Sequence, residues 1–557
     1  MGKATRVVVT GFEVNTVFGD NKDVFWKGLL TAESCIKTEN RNILDENTID
    51  KVAVLIEKLS SCLLRSLEES GISKSELEKR NAVFIYGTFL GEVGCMKKNS
   101  FDKARSFDAI PIDIQKKLNI DTPFIVLTNA CASGIQAIGL GRDLIYQRKF
   151  DLVIVCGYEV IDQFVLAGMT SIRAIGNQLR PFDAERNGTV ISDGIGVIIL
   201  EQEEQAIIRD AEIYAEILGY GLSNDAYNYV RPHPEATGMV NSIKMALEDS
   251  KNSIDDIDFI CAHGTGTKLN DTLETKAIKT VFGERAYQIP ITSIKGAIGH
   301  TLGASGILGC IATILSINEK CIIPTINYAN QDLDCDLDYV PNKSRQKTIK
   351  RALCNASGFG GVNAVLGVGC YSSQTKVPKH ENIDQKQIYI GNGKSKFQTK
   401  IQNEYELIKN VFSVLNEVLN KQGEEQIRHN KIGLVIDVNS GVNFPSQKKF
   451  LKQLSEKDIR LLDPTLFCFS FPNRITGEIA REYGITGPTI TICDSAPNLE
   501  KAFLIGEALL NNNKAQKVLV GKIGIEYIII LMLEYTEKCK NNKDNFDMQV
   551  ESLIIRY

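Results

Sequence analysis

Between residues 5 and about 372, short β-type apolar runs alternate with stretches of helical periodicity, and that alternation restricts the chain to an α/β fold. The runs at 7–10, 83–86, 124–127, 152–156, 197–200, 259–262, 289–293 and 364–368 read as buried strands. Residues 135–146 and 307–317 carry the helical pattern. In open α/β sheets, ligands and catalytic groups collect at the carboxyl ends of strands. The residues just after each run are therefore where chemistry is expected.

The rest of the chain is organised around that core. Residues 373–400 are polar and rich in Lys and Gln, and read as a linker. A second α/β segment is expected over 401–536, and a charged tail over 537–557. This second segment reads as a partial copy of the first. Helix 405–421 and strand 432–438 repeat helix 52–67 and strand 83–86. Residues 488–520 lie on 123–155 without a gap at a constant offset of 365, which matches Ile490 with Ile125, Ala502 with Ala137, Gly506 with Gly141 and Val518 with Val153.

Charge and composition remove several function classes. A net charge of −4 gives no basic footprint for nucleic acid. No run of 18 apolar residues suggests a membrane span, and the N-terminal stretch lacks the pattern of a secretion signal. The cytoplasm is the default expectation. The 14 cysteines form no Cys-x-x-Cys pair, so neither a zinc site nor a disulfide framework is expected. Only five histidines occur, which makes the placement of each informative.

Four glycine-rich pieces follow strand-like runs. In Thr128-Asn129-Ala130-Cys131-Ala132-Ser133-Gly134, the cysteine stands where a strand turns into a helix. Small neighbours leave room for a ligand, and free amides at a helix start favour thiolate. Taken alone, the same turn fits a buried structural cysteine. Cys261-Ala262-His263-Gly264-Thr265-Gly266-Thr267 and Lys295-Gly296-Ala297-Ile298-Gly299-His300 place two of the five histidines among small residues at strand ends. Asn355-Ala356-Ser357-Gly358-Phe359-Gly360-Gly361-Val362-Asn363 is a glycine turn between extended segments.

In that order the four pieces resemble the β-ketoacyl synthase family, within the thiolase-like fold. Residues 6–11 resemble the family's opening strand, and Arg180-Pro181-Phe182-Asp183, running on to Asp193-Gly194-Ile195-Gly196, its Pro-Phe-Asp segment. The resemblance covers about residues 1–372. It implies an N-terminal half with the nucleophile (1–205), a C-terminal half with the histidines (206–372), and a degenerate half of the same type over 401–536.

The resemblance also implies a decarboxylative Claisen condensation between a Cys131-bound acyl group and a malonyl group on acyl carrier protein. His263 and His300 would stabilise the enolate, and Lys295 would support them. The backbone amides of Cys131 and Phe359 would hold the oxyanion. Thr265 and Thr267 would bind the pantetheine arm, and Phe359 would gate the site. No metal or diffusible cofactor is implied. A Cys-His-His set resembles the elongation type.

Two departures concern the surroundings of the site. The stretch from Gly91 to Pro123 is shorter than the family pattern and lacks its Asn-x-x-x-Gly helix start, which occurs instead as Asn473-Arg474-Ile475-Thr476-Gly477 in the second copy. Ser357 stands where the family often has Phe, which would widen the gate. At the offset of 365, Ala496 takes the place of Cys131, so the second copy is expected to be catalytically dead. It is expected to act as a built-in pseudo-dimer partner, with strand 152–156 pairing to 518–520; otherwise the chain would be a homodimer. Acyl transfer without decarboxylation and a non-catalytic, chain-length-factor-like carrier-binding role remain as alternatives.

Overall fold

The computed structural model describes residues 5–31, 50–95, 106–373, 388–398, 404–420, 431–524 and 527–535. A first group of strands is β1 (Val7–Asn15), β2 (Ala82–Gly87), β3 (Phe124–Leu127), β4 (Leu152–Glu159) and β5 (Gly194–Gln202). A second group begins with β6 (Ala215–Asn224), β7 (Phe259–Cys261) and β8 (Ile291–Thr292). After a two-stranded ribbon of β9 (Cys321–Ile322) and β10 (Arg345–Gln346), it is completed by β11 (Arg351–Gly358) and β12 (Val362–Gly369). A third group is β13 (Ile388–Gln398), β14 (Ile432–Asn439), β15 (Thr489–Asp494), β16 (Lys517–Ile523) and β17 (Tyr527–Tyr535).

The three groups join in one fifteen-stranded sheet among the described residues, ordered β13-β17-β16-β14-β15-β3-β2-β4-β5-β1-β6-β12-β11-β7-β8. One arrangement recurs three times along it. In sequence order within each group, the strands stand third, second, fourth, fifth, first. In each group the second strand runs parallel to the third and fourth, and the fifth runs antiparallel to the fourth and first. The groups meet through equivalent strands and antiparallel: first with first at β1–β6 (Val9 opposite Ala215), third with third at β3–β15 (Leu127 opposite Ile492). Each junction therefore has the geometry of a local two-fold axis.

Strands β1, β2, β4, β5 and β12 are buried at every position. That requires cover on both faces and explains their continuous apolar runs. The cover includes helices Ser133–Tyr146 and Ser305–Asn318, which are themselves buried at every residue from 133 to 145 and from 305 to 317. A helix buried all round lies between layers. These two pack so closely that a Cβ on Gly134 would stand 2.9 Å from the Ile307 backbone nitrogen, and one on Gly306 2.6 Å from that of Ile135. Only glycine fits such an approach.

Two expectations are corrected. The segment 373–400 is not simply a linker: Ile388–Gln398 is β13, the first strand of the third group, and pairs antiparallel with β17. Its Lys/Gln-rich composition hides it, because sequence periodicity reports burial and backbone pairing leaves no such mark. Strand 152–156 does not pair with 518–520; β4 lies between β2 and β5, and β16 between β14 and β17. The copies meet instead through β3 and β15, the strands that lead into the Cys131 turn and its counterpart. The expected tail 537–557 lies outside the described residues. Strands β6 and β11 were not among the runs read from the sequence.

The third group is fastened to the first along this junction. Thr128 N–H donates to Thr491 O (3.0 Å), and Thr491 N–H donates to Asn129 Oδ1 (3.1 Å). Farther out, buried Lys514 donates to Tyr220 O and pairs with Asp249 (2.9 Å).

Candidate active site

Cys131 sits in the 3-10 turn Ala130–Ala132, between β3 and the helix Ser133–Tyr146. The turn is tight enough to hold Ala130 at φ 52°, in the left-handed region a β-carbon disfavours. Ser133 locks it: its Oγ accepts the Asn129 N–H (2.8 Å) and lies 2.7 Å from the Ala130 carbonyl. His263 follows β7, and His300 follows β8 after the short helix Lys295–Ile298. The nucleophile turn and the His300 loop therefore occupy equivalent places, after the third strands of the first two groups.

The fold brings these residues together in a buried cluster. Donor atoms of Cys131, His263 and His300 all lie within 4.8 Å of one another, and the imidazole centroids are 5.5 Å apart at 84°. Three such donors have the spacing of a cation site. The buried Lys295 ammonium, 3.5 Å from His263 Nδ1, opposes a further positive charge there.

The imidazoles are arranged as hydrogen-bond donors. Leu302 N–H donates to His300 Nδ1 (3.2 Å), and Ser305 Oγ lies 2.9 Å from the same atom. Nδ1 is thus an acceptor, so the neutral ring carries its proton on Nε2. Lys295 donates to the His263 carbonyl oxygen and faces Nδ1. Burial pushes the pKa of both histidines well below 6.5, and the Lys295 charge adds to the shift. Both rings are neutral at pH 7.

Cys131 corrects an expectation. Burial pushes its thiol up to about 12, and the opposing Lys295 charge does not reverse this. Burial favours the thiol, because the charged form loses its water there.

Carboxylates that the sequence reading did not single out hold the loops. Glu274 accepts the His263 N–H (2.7 Å) and Gly264 N–H (2.8 Å). Asp271 accepts from Thr265 N (3.0 Å), Gly266 N (3.2 Å) and Phe182 N (2.8 Å). Glu159, at the end of β4, accepts from Phe89 N, Leu90 N and Gly303 N, joining the loop after β2 to the one after His300. Acidic residues one to two turns beyond the glycine-rich His263 loop were the available signal for Asp271 and Glu274. Thr265 and Thr267 stand side by side, hydroxyls 3.0 Å apart.

Phe359 lies on the turn between β11 and β12. A Cβ on its neighbour Gly358 would meet the Cys131 backbone nitrogen at 3.1 Å, so this turn rests directly on the nucleophile turn. Ser357 donates to Asn363 Oδ1 and lines a small depression with Glu274 and Asn355. The Phe359 ring joins an aromatic cluster drawn from all three groups: Phe89 of the first and Phe359 of the second meet Phe471 of the third at centroid distances of 4.6 and 6.2 Å. Asn473 donates to the Phe359 carbonyl oxygen (2.8 Å). Ala496, the counterpart of Cys131, is exposed and has no equivalent surroundings.

Two family models match: β-ketoacyl synthase N-terminal domain over residues 59–206, and C-terminal domain over 214–329. The chain is 39% identical over 408 residues to 3-oxoacyl-[acyl-carrier-protein] synthase 2 of Staphylococcus aureus (strain COL), covering 98% of that protein and 66% of this chain. The chain belongs to the β-ketoacyl synthase family. Among solved structures, a type II polyketide synthase ketosynthase in complex with its acyl-carrier protein aligns with TM-score 0.61 and 27% identity, over 66% of this chain and 100% of that one. A ketosynthase–chain length factor protein aligns with TM-score 0.74 over 96% of this chain and 79% of that one. At 15% identity this last likeness speaks for the fold alone, but it extends the ketosynthase architecture to the third group. Among the described residues no helix is long and apolar enough to cross a membrane.

Proposed function

We propose that this β-ketoacyl synthase, an acyltransferase of fatty-acid or polyketide type, extends a Cys131-bound acyl group by decarboxylative condensation with a malonyl thioester on acyl carrier protein. The convergence of one thiol and two buried imidazoles, that of His300 oriented as a donor, carries this reading. Cys131 Sγ attacks the incoming thioester carbonyl. The carrier thiol leaves with the proton Cys131 gives up, and the acyl group remains on Sγ. A malonyl thioester then loses carbon dioxide. His263 and His300 present Nε2–H to the thioester oxygen, which gains charge as the enolate forms. Neutral rings suit this step, because a donor that keeps its proton stabilises the enolate without quenching it. The enolate carbon attacks the acyl carbonyl, and the oxyanion collapses to expel Cys131. A β-ketoacyl thioester leaves on the carrier, and Cys131 takes up a proton. The amides of Cys131 and Phe359, on turns that rest against each other, serve the oxyanion. Thr265 and Thr267 take the pantetheine arm.

The third group acts as a built-in partner. It occupies the β3 edge through an equivalent strand and supplies Phe471 and Asn473 to the rim of the site. Acyl transfer without decarboxylation would need no second imidazole donor beside His263, and a carrier-binding scaffold would need no thiol. Incubation with acyl thioesters and intact-mass measurement tests the first half-reaction. The expected result is one acyl adduct per chain, absent from Cys131→Ala. An adduct retained in Cys131→Ala would overturn the assignment.

A further inference from the structure

We propose that Asn473 of the third group is a positioning residue for the catalytic turn around Phe359, so that one part of the chain completes the active site of another. The inference rests on the ketosynthase reading above and adds to it a group that does not touch substrate.

The geometry centres on one peptide plane, between Phe359 and Gly360. Its carbonyl oxygen accepts from Asn473 Nδ2 at 2.8 Å, and its N–H donates to the Tyr229 carbonyl oxygen at 2.7 Å. The two anchors are themselves joined, since Tyr229 O–H donates to Asn473 Oδ1 at 3.1 Å. Asn473 is 1% exposed, so these bonds have no competition from bulk water. Both ends of the peptide are held, one by the second group and one by the third.

The backbone shape makes such holding necessary. Gly360 and Gly361 stand at φ 85° and 74°, a conformation that glycine adopts freely and that glycine alone does not fix. The third group also approaches sterically: a Cβ on Gly477 would stand 2.9 Å from Gly360 Cα, and one on Gly360 2.9 Å from Asn473 Nδ2. The Phe359 N–H lies on the other side of the Phe359 α-carbon from this plane. Rotation of the plane turns that amide away from the Cys131 acyl group. A misplacement of about 1 Å at a reacting centre reduces rate by roughly a hundredfold.

The test uses the full chain, with acyl-coenzyme A as loading probe and malonyl-carrier as extender, and counts folded sites by iodoacetamide labelling of Cys131. Asn473→Ala removes both bonds. Asn473→Asp keeps the size and the acceptor for Tyr229 but sets an oxygen against the Phe359 carbonyl. Tyr229→Phe removes only the brace between the anchors. Per labelled site, kcat should fall roughly tenfold to a hundredfold for the two Asn473 variants with KM little changed. The Asp variant should be no better than Ala, and Tyr229→Phe should lose less. Should Asn473→Ala fail to fold, the isosteric Asp variant and Tyr229→Phe decide. Wild-type kcat in the folded Asn473 variants, or a loss confined to KM, overturns the inference. Cys131→Ala separates the two claims. If it is inert while the Asn473 variants are normal, only this inference fails; if it still condenses, the ketosynthase reading fails.

Discussion

At the scale of single residues, the site's character comes from burial. Burial of Cys131 penalises the thiolate more than Lys295 relieves it, which favours the thiol. Its alkylation by iodoacetamide should therefore accelerate about tenfold per pH unit from pH 7 upward, as the thiolate fraction does. A rate that levels off near pH 7 would show instead that the helix-start amides prevail, as the sequence suggested. Glu159 makes a second pH prediction. Burial raises its carboxyl from 4.5 to about 8 against three N–H donors. A folded-state pKa above the unfolded value means the native protein holds the proton more tightly. That contribution is present in full below pH 4.5 and is lost as pH rises through 8. Urea unfolding should show stability declining across this window, and Glu159→Gln should flatten the decline. The clustering of Cys131, His263 and His300 was legible because small-residue turns after apolar runs leave a mark in sequence. Glu159 acts through hydrogen bonds to backbone groups brought close only by folding, and nothing local to it announces this; Glu274 and Asn473 lie in recognisable stretches, but folding alone brings their backbone partners to them.

At the scale of elements, the junction of β3 with β15 ties the nucleophile turn to the third group. Asn129, two residues before Cys131, accepts from Thr491 N–H and borders the turn. Asn129→Ala would leave that buried donor unpaired, at a cost of about 1–3 kcal/mol. The loss should be visible as a lower urea midpoint at unchanged m-value. Unchanged stability would mean the junction is not held there. Element existence was readable along most of the chain, and the offset of 365 aligned β15, β16 and the helix Leu499–Asn511 with their first-group counterparts. Pairing was not. The sequence pointed to β4 and β16 as partners, whereas β3 and β15 meet, because apolar runs report burial and carry no label for their neighbour. The strand β13 was missed for the complementary reason, that its composition is that of a linker.

At the scale of the whole molecule, three five-stranded units share one sheet among the described residues, and Cys131, His263 and His300 come from the first two. The third has adapted to a different place. Where Ile135 of the first unit packs against the helix Ser305–Asn318, the matching position holds the exposed Glu500. Removing residues 401–557 should uncover the β3 edge and the ring of Phe89, leaving apolar surface and unpaired strand groups. The truncated chain should dimerise or aggregate in light scattering; a soluble, monomeric and fully active truncation would show the third unit to be dispensable. The central claim is that Cys131, His263 and His300 perform one coupled reaction. The most direct measurement is a single turnover of pre-acylated protein with malonyl-carrier, following carbon dioxide and the carrier-bound product together. The account predicts one carbon dioxide per β-ketoacyl-carrier formed, with both slowed in parallel by His263→Ala or His300→Ala. Transfer of the acyl group without carbon dioxide release, or condensation at wild-type rate in either histidine variant, would contradict it.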